Sequence, residues 1–213
     1  MTTLPIFPLG SVLLPAMPMA LRIFEHRYVV LLSRVLREEG EFGVVLIERG
    51  SEVGGGDHRF GLGTVARIRE CDVGVEAIHL VAVGGRRFEV REWLEDDPHP
   101  EARVSFLPDL QWSPHLRPLL DEAEVAVRRG LARASEFTGG TWPAGVGLSD
   151  DPLQAAWQLA GISPVGPLDR QSLLRAATVE ELLTSVIQRT EEAVEVLTMA
   201  WPEDPGDPSG RPD

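Results

Sequence analysis

The stretch LPIFPLGSVLLPAMPMALRIFEHRY, residues 4–28, is apolar over most of its length and is broken by Pro5, Pro8, Pro15 and Pro18. Each proline removes a backbone donor and fixes φ, so the prolines are expected to keep this opening out of helix and to stand at strand edges or bends. Its charges are Arg22, Glu25 and Arg27, all at the far end. An export signal needs a basic start and an uninterrupted apolar run, whereas this chain starts Met-Thr-Thr. A membrane helix needs about 20 unbroken apolar residues; the run from Leu9 to Leu21 is shorter and contains prolines. The opening is therefore expected to be strands and bends of a folded unit, with Ile6, Leu9, Val12 and Leu14 supplying core.

With 213 residues, 43% of them hydrophobic, the chain can build one sizeable core or two small ones. Its single cysteine, Cys71, allows no intrachain disulfide and fits a reducing, cytoplasmic setting. The chain has no lysine, so its 20 basic residues are all arginine, against 33 acids and a formal charge of −13. That balance disfavours nucleic acid, whose affinity for proteins comes largely from cations neutralising phosphates, and equally an anionic membrane surface. The missing lysine also removes the phosphate-loop lysine, Schiff-base chemistry and every Ser–Lys dyad.

The pattern predicts a β-rich lobe over residues 4–110, a helical lobe over 111–200 and a disordered acidic tail over 201–213. GTVARIRE (63–70) and GVEAIHLVAV (74–83) alternate as strands, and Gly84-Gly85 predicts a tight turn returning into RRFEVREW. Within the β lobe, EHRYVVLLSRVLREEG predicts a helix with Tyr28, Leu31, Leu32, Val35 and Leu36 on one stripe and Gly40 as its stop. FGVVLIE (42–48) and Ala102–Phe106 are expected strands, and the glycine-rich 51–58 segment a mobile loop. After Pro118 the period becomes helical. Asp151-Pro152 reads as a cap followed by proline in the first turn. Asp169 reads as a cap with Leu168 and Leu173 as its staple, and Thr178 with Glu181 as a capping box. Trp142 and Trp157 are placed to anchor the second lobe, so one cooperative two-lobed unit is expected.

No motif carries catalysis. GLGTVA (61–66) has dinucleotide-loop spacing, but a strand rather than a helix follows Gly63. Asp96, Asp97, His99 and Glu101 are held extended by Pro98 and Pro100, so they read as a solvated loop, not a metal site. There is no G-x-S-x-G elbow. Catalytic, cofactor and metal residues are accordingly none.

The opening stretch resembles that of the N-terminal, substrate-binding domain of Lon proteases, where a Leu-Pro-x-Phe-Pro-Leu strand and a bend precede an Ile-Phe-Glu-x-Arg-Tyr element. FGVVLI (42–47), GTVARI (63–68), GRRFEV (85–90) and the helical half DPLQAAWQLAGISPVGPLDRQSLLRAATVEELL follow in the family's order. The resemblance covers about residues 4–198. It implies an α+β fold, with a PUA-like, partly barrel-like β lobe followed by a helical bundle, and a role in capturing unfolded polypeptide. It does not extend to the ATPase and protease modules of full-length Lon. The chain departs from the family at Gly10-Ser11, where a charged pair is common, and at Ala16, where glycine is common.

The expected function is a non-catalytic protein- or peptide-binding module whose partners are unfolded segments or another protein. Met17 and Met19, in the bend, are the candidate contact residues because thioether chains adapt to irregular apolar partners. Phe24, Glu25, Arg27 and Tyr28 form an expected structural motif: Phe24 packs beneath the helix, Glu25 lies in its first turn, Arg27 bridges an acid of the β lobe, and Tyr28 offers its ring to the core and its hydroxyl to a partner. Two alternatives stand beside this. An enzyme would need convergent ionisable groups in the cleft between the lobes. An RNA-binding protein would need several of Arg67, Arg69, Arg86, Arg87 and Arg91 in one exposed strip.

Overall fold

The computed structural model describes residues 1–49, 58–137 and 142–200. Most of the loop expected at 51–58 and the whole tail 201–213 lie outside the described residues. Six strands come first: β1 (Thr2–Leu9), β2 (Pro18–Ile23), β3 (Glu41–Arg49), β4 (His58–Val73), β5 (Ile78–Trp93) and β6 (Glu101–Phe106). One helix, α1 (His26–Val35), separates β2 from β3. A short 3-10 turn then leads into α2 (Arg117–Ala134), α3 (Pro152–Ile162), α4 (Pro167–Leu173) and α5 (Val179–Ala200). The fold is α+β.

The sheet runs β2-β5-β4-β3-β1-β6, and the far half of β5 pairs with β6 as well. Five strands therefore close into a ring, with β2 attached to the near half of β5. Within it β1 lies between β3 and β6, so Pro5 and Pro8 stand inside a strand paired on both sides rather than at an edge or bend. Leu4, Ile6, Val45, Val65, Phe88, Ala102 and Val104, drawn from all five ring strands, form one small core. The opposite sheet face carries Phe7, Phe42, Leu62, Ala66, Leu80 and Ala82 into a larger core shared with α1 and the C-terminal helices. Both faces are thus covered, which explains why Val65 interrupts the alternation of its neighbours. Gly63 belongs to this packing: a Cβ there would lie 2.3 Å from the Val44 carbonyl oxygen and 2.7 Å from the Phe88 ring. The glycine pattern at 61–66 makes room for an aromatic side chain inside a strand.

The hairpin turn is not at Gly84-Gly85. β5 continues straight through both glycines, and the chain reverses at 74–77, where the Gly74 amide donates to the Ala77 carbonyl at 3.0 Å. The glycines serve close approach instead. A Cβ on Gly84 would stand 2.1 Å from the Leu14 carbonyl oxygen. The bend 14–17 is tied there by Ala16 N–H to the Gly84 carbonyl at 2.9 Å and Gly84 N–H to the Met17 carbonyl at 3.0 Å.

Around α1 the expected motif is partly rearranged. Ile23 is buried and Phe24 is 55% exposed, with the Arg22 guanidinium above its ring, so Phe24 does not pack beneath the helix. The extended conformation of Glu25 at the N-cap turns the chain so that Ile23 takes the inward place. Glu25 stands at the cap rather than inside the first turn, and its carboxylate pairs with Arg27 at 3.1 Å. The Tyr28 ring enters the core and stacks on Phe7 with centroids 4.1 Å apart. Leu36 falls outside the buried stripe, and Gly40 ends the segment at φ 69°.

The helical lobe follows its local signals at α3 and α5. Asp151 accepts from the Gln154 amide at 2.8 Å with Pro152 opening the helix, and Thr178 accepts from the Glu181 amide at 3.0 Å. The Glu181 carboxylate reaches back to the Ala177 amide at 2.8 Å. At α4 the expected cap is displaced. Pro167 opens that helix with Gly166 at its cap, Leu168 is exposed, and Asp169 accepts from Arg189 at 2.6 Å. The 95–101 loop also differs from a fully solvated one: Asp96 and Asp97 are exposed, but His99 is only 2% exposed. The Pro100 carbonyl accepts from the Ile6 amide at 2.8 Å, which holds this segment against β1.

Candidate functional site

Two sheet residues hold the helical lobe in place. Arg87, 5% exposed, donates through Nη1 to the Leu174 and Ala176 carbonyls at 2.7 Å each, and through Nη2 to the Pro108 carbonyl at 3.0 Å. Its guanidinium also lies 5.2 Å from the Trp157 ring centroid. The geometry depends on a bulge. Ala66 pairs with Gly84 but Thr64 pairs with Arg87, so the β4–β5 register shifts at Gly85-Arg86. Such a bulge re-aims the side chains beyond it. Here it turns Arg87 onto the helix-facing side already used by Leu80 and Ala82. Burial pushes the Arg87 guanidinium below its ordinary value, with Asp109 and Glu181 pulling the other way. The second tie runs in reverse, from Gln171 Nε2 to the Leu62 carbonyl at 2.9 Å.

Beside Arg87 the lobes leave a trough. Its first part, about 490 Å³, has Pro15 and Ala16 of the bend, Trp112, Leu153 and Trp157 as its walls. Its second part, about 360 Å³, passes Arg67 and Arg86 on the sheet. The two hollows adjoin along β5, sharing Arg69, Val83, Gly84, Gly85 and Asp109. Among the described residues, neither part is lined by Ser, Thr, Cys, His, Lys or Tyr. The ionisable groups that line it are arginines, which do not exchange protons at ordinary pH, and the acids Asp109 and Glu41. This lining suits binding of apolar and anionic groups. A larger concavity, about 660 Å³, lies wholly in the helical lobe. There Arg189 is already neutralised by Asp169 and Arg170 donates to the Ser163 carbonyl at 3.0 Å.

The residues singled out from sequence distribute unevenly around this trough. Met17 is 7% exposed and packs on α3, where a Cβ on Gly161 would lie 2.4 Å from its Cγ. Met19 is half-buried in β2, against the main core. Of the five arginines considered as a strip, Arg87 is buried, Arg67 pairs with Glu41 at 2.5 Å and Arg91 pairs with Glu89 at 2.8 Å, while Arg67, Arg69 and Arg86 line one part of the trough. Among the described residues no three His, Cys, Asp or Glu side chains lie close enough to hold a metal ion. No described helix is long and apolar enough to cross a membrane. Cys71 is an exposed thiol in β4.

Ala16 gives a direct test of the bend. Its φ of 60° lies in the left-handed region, which costs a residue with a Cβ about 1–2 kcal/mol. Glycine removes that strain but adds about 0.5–1 kcal/mol of unfolded-state entropy. Ala16→Gly is expected to raise stability by about 0.5 kcal/mol in urea denaturation, by the difference of those two ranges. A loss of stability would contradict the strain.

Comparison with known proteins agrees with this architecture. The family model described as "ATP-dependent protease La (LON) substrate-binding domain" matches residues 3–191. Among curated proteins, the Lon protease of Anaeromyxobacter dehalogenans is 31% identical over 125 residues, covering 57% of this chain and 14% of that protein. Lon protease 2 of Myxococcus xanthus is 33% identical over 109 residues, covering 50% and 13%. The chain thus matches only a small part of the length of these relatives. The crystal structure of a Lon N-terminal domain protein from Xanthomonas campestris superposes with a TM-score of 0.63 at 28% identity, covering 88% of this chain and 98% of that one. The N-terminal domain of a Mycobacterium avium complex Lon protease gives the same TM-score at 16% identity, which speaks to the fold alone. With its two-lobed fold and a family match over nearly all its described length, this chain belongs to the Lon substrate-binding domain family.

Proposed function

We propose that this protein is a non-catalytic polypeptide-binding module, and that the trough between its lobes receives extended, partly apolar segments of unfolded chains. The observation that carries this reading is the trough itself: two adjoining hollows along β5, with Trp112 and Trp157 in the wall of one, Gly84 and Gly85 common to both, and no serine, threonine, cysteine, histidine, lysine or tyrosine among the described lining residues. Ligand sites are commonly concave, mostly apolar and several hundred Å³ in volume. Both parts fall within that range. Met19, half-buried on β2 next to the bend and outside the described lining of the trough, stays a candidate thioether contact at its margin, and Met17 contributes by holding the bend against Gly161. The family name and the Lon relatives support a role in presenting substrates for proteolysis. We read the strand ring as a PUA-like, partly barrel-like lobe, and the setting as cytoplasmic, with neither nucleic acid nor membrane as partner.

Gly85 supplies the test. A Cβ there would meet only the Val65 carbonyl oxygen, at 3.5 Å, so a side chain can enter the trough without disturbing the fold. Titrating the protein with a fluorescent, permanently unfolded polypeptide should give saturable binding. Gly85→Val should weaken it at least about tenfold, equivalent to about 1.4 kcal/mol, with an unchanged melting temperature. No association with the unmodified protein, or equal association with Gly85→Val, would overturn the reading.

A further inference from the structure

The charges around the trough go beyond a general affinity for unfolded chains. The protein carries 33 acids against 20 arginines, so an arginine without an acid beside it has been left unpaired in an acid-rich chain. Many arginines do have one: Arg59 pairs with Asp96 at 2.6 Å, Arg67 with Glu41 at 2.5 Å and Arg189 with Asp169 at 2.6 Å. Around the trough the pairing is incomplete. Glu41 is committed to Arg67 through two hydrogen bonds. Asp109 and Glu181 favour the charge on the buried Arg87 from a distance, and no described acid lies within 4.0 Å of it. Arg69 and Arg86 remain, with no described acid within ion-pairing distance of either. The Arg86 guanidinium lies over the Phe106 ring, 3.9 Å from its centroid. Stacking occupies the face of a guanidinium and leaves its in-plane donors for a planar acceptor.

We propose that the trough selects polypeptide segments carrying an aspartate or glutamate close to an apolar or aromatic residue, with the carboxylate seated on Arg69 and Arg86 and the apolar neighbour against Trp112, Leu153 and Pro15. This rests on the polypeptide-binding reading above and specifies its ligand. A carboxylate could come from a side chain or from a chain end. Arg69 lines both hollows, so the cationic position lies where they adjoin, with open space on either side of it. That placement favours an internal acidic side chain. The apolar wall and the chain's net charge of −13 favour a peptide over a polyanionic nucleic acid.

The test uses acetylated, amidated peptides with one aromatic residue and a central glutamate, beside the same peptide with glutamine, read by fluorescence anisotropy. The glutamate peptide should bind about tenfold tighter, as expected for charge-assisted bonds to guanidinium. The double variant Arg69→Gln/Arg86→Gln should bring the glutamate peptide down to the glutamine peptide's level. Arg37→Gln removes an exposed arginine on the α1 side and should keep the ratio. Gly85→Val should weaken both peptides. Equal binding of the two capped peptides would overturn this inference and leave the polypeptide-binding reading standing. So would a glutamine peptide that gains the tenfold advantage only when its C-terminus is free, or displacement of the bound glutamate peptide by a single-stranded oligonucleotide but not by excess acidic peptide. Failure of both capped peptides and of the unfolded polypeptide to bind would overturn the two readings together.

Discussion

Arg87→Met should destabilise the protein by about 3–5 kcal/mol, because it leaves three buried or part-buried carbonyls without their donor, at about 1–3 kcal/mol each. The substitution removes donors from three carbonyls at once, those of Leu174, Ala176 and Pro108. Leu174 caps α4 and Ala176 lies in the turn before α5, so the change strikes where the helical lobe sits on the sheet. Arg87→Lys should recover little. An ammonium is a single point of donors, and it cannot reproduce a planar fork that reaches carbonyls on two segments. Because the larger core runs through both lobes, urea denaturation should show one transition by far-ultraviolet circular dichroism and by tryptophan fluorescence, shifted together in the variant. A loss below about 1 kcal/mol, within the ordinary effect of a single mutation, would contradict this role.

The second large effect belongs to Gly84. In Gly84→Ala the new Cβ would sit 2.1 Å from the Leu14 carbonyl oxygen and 2.8 Å from its carbon, and backbone cannot rotate away as a side chain can. The bend is tied to the same residue from both sides, through the Ala16 amide and the Met17 carbonyl. Relief requires pulling the bend off β5. We expect a loss of about 3 kcal/mol or more, the upper range of overpacking. Its neighbour is the control. Gly85→Ala meets only ordinary contact and should stay within about 0.5 kcal/mol of the parent protein. Equal effects at the two positions, measured by denaturant midpoints, would contradict the close approach of bend and strand.

These two residues also show where the sequence is readable and where it is not. The caps at Asp151 and Thr178 are legible because a cap is settled within four residues of chain. Gly84-Gly85 reads as a turn because a turn and a close backbone approach require the same residue; only the position of Leu14, distant in sequence, separates them. Arg87 is hidden by its parity. Counting alternate residues from Leu80 and Ala82 places Arg86, not Arg87, on the helix-facing side, and the bulge that reverses the count leaves no local mark. Asp169 has the composition of a cap, but Pro167 starts α4 earlier and frees the carboxylate for Arg189. For Met17 the apolar bend is evident, while its burial depends on Gly161 in the other lobe. The order of motifs conveyed the α+β family fold. It could not convey the trough, because every wall of it comes from a different segment.

The most direct test of the central claim is a footprint. An unfolded polypeptide carrying a photoreactive group at several positions would be bound to the full protein, cross-linked, and the attachment points mapped by mass spectrometry. The trough predicts attachment at Pro15–Ala16, Gly84–Arg86, Asp109–Trp112 and Leu153–Trp157, lost in Gly85→Val. Attachment concentrated instead on the free side of β2 around Arg22 and Phe24, or in the helical-lobe groove around Trp142 and Val196, would show that the trough between the lobes is not where this protein holds its partner.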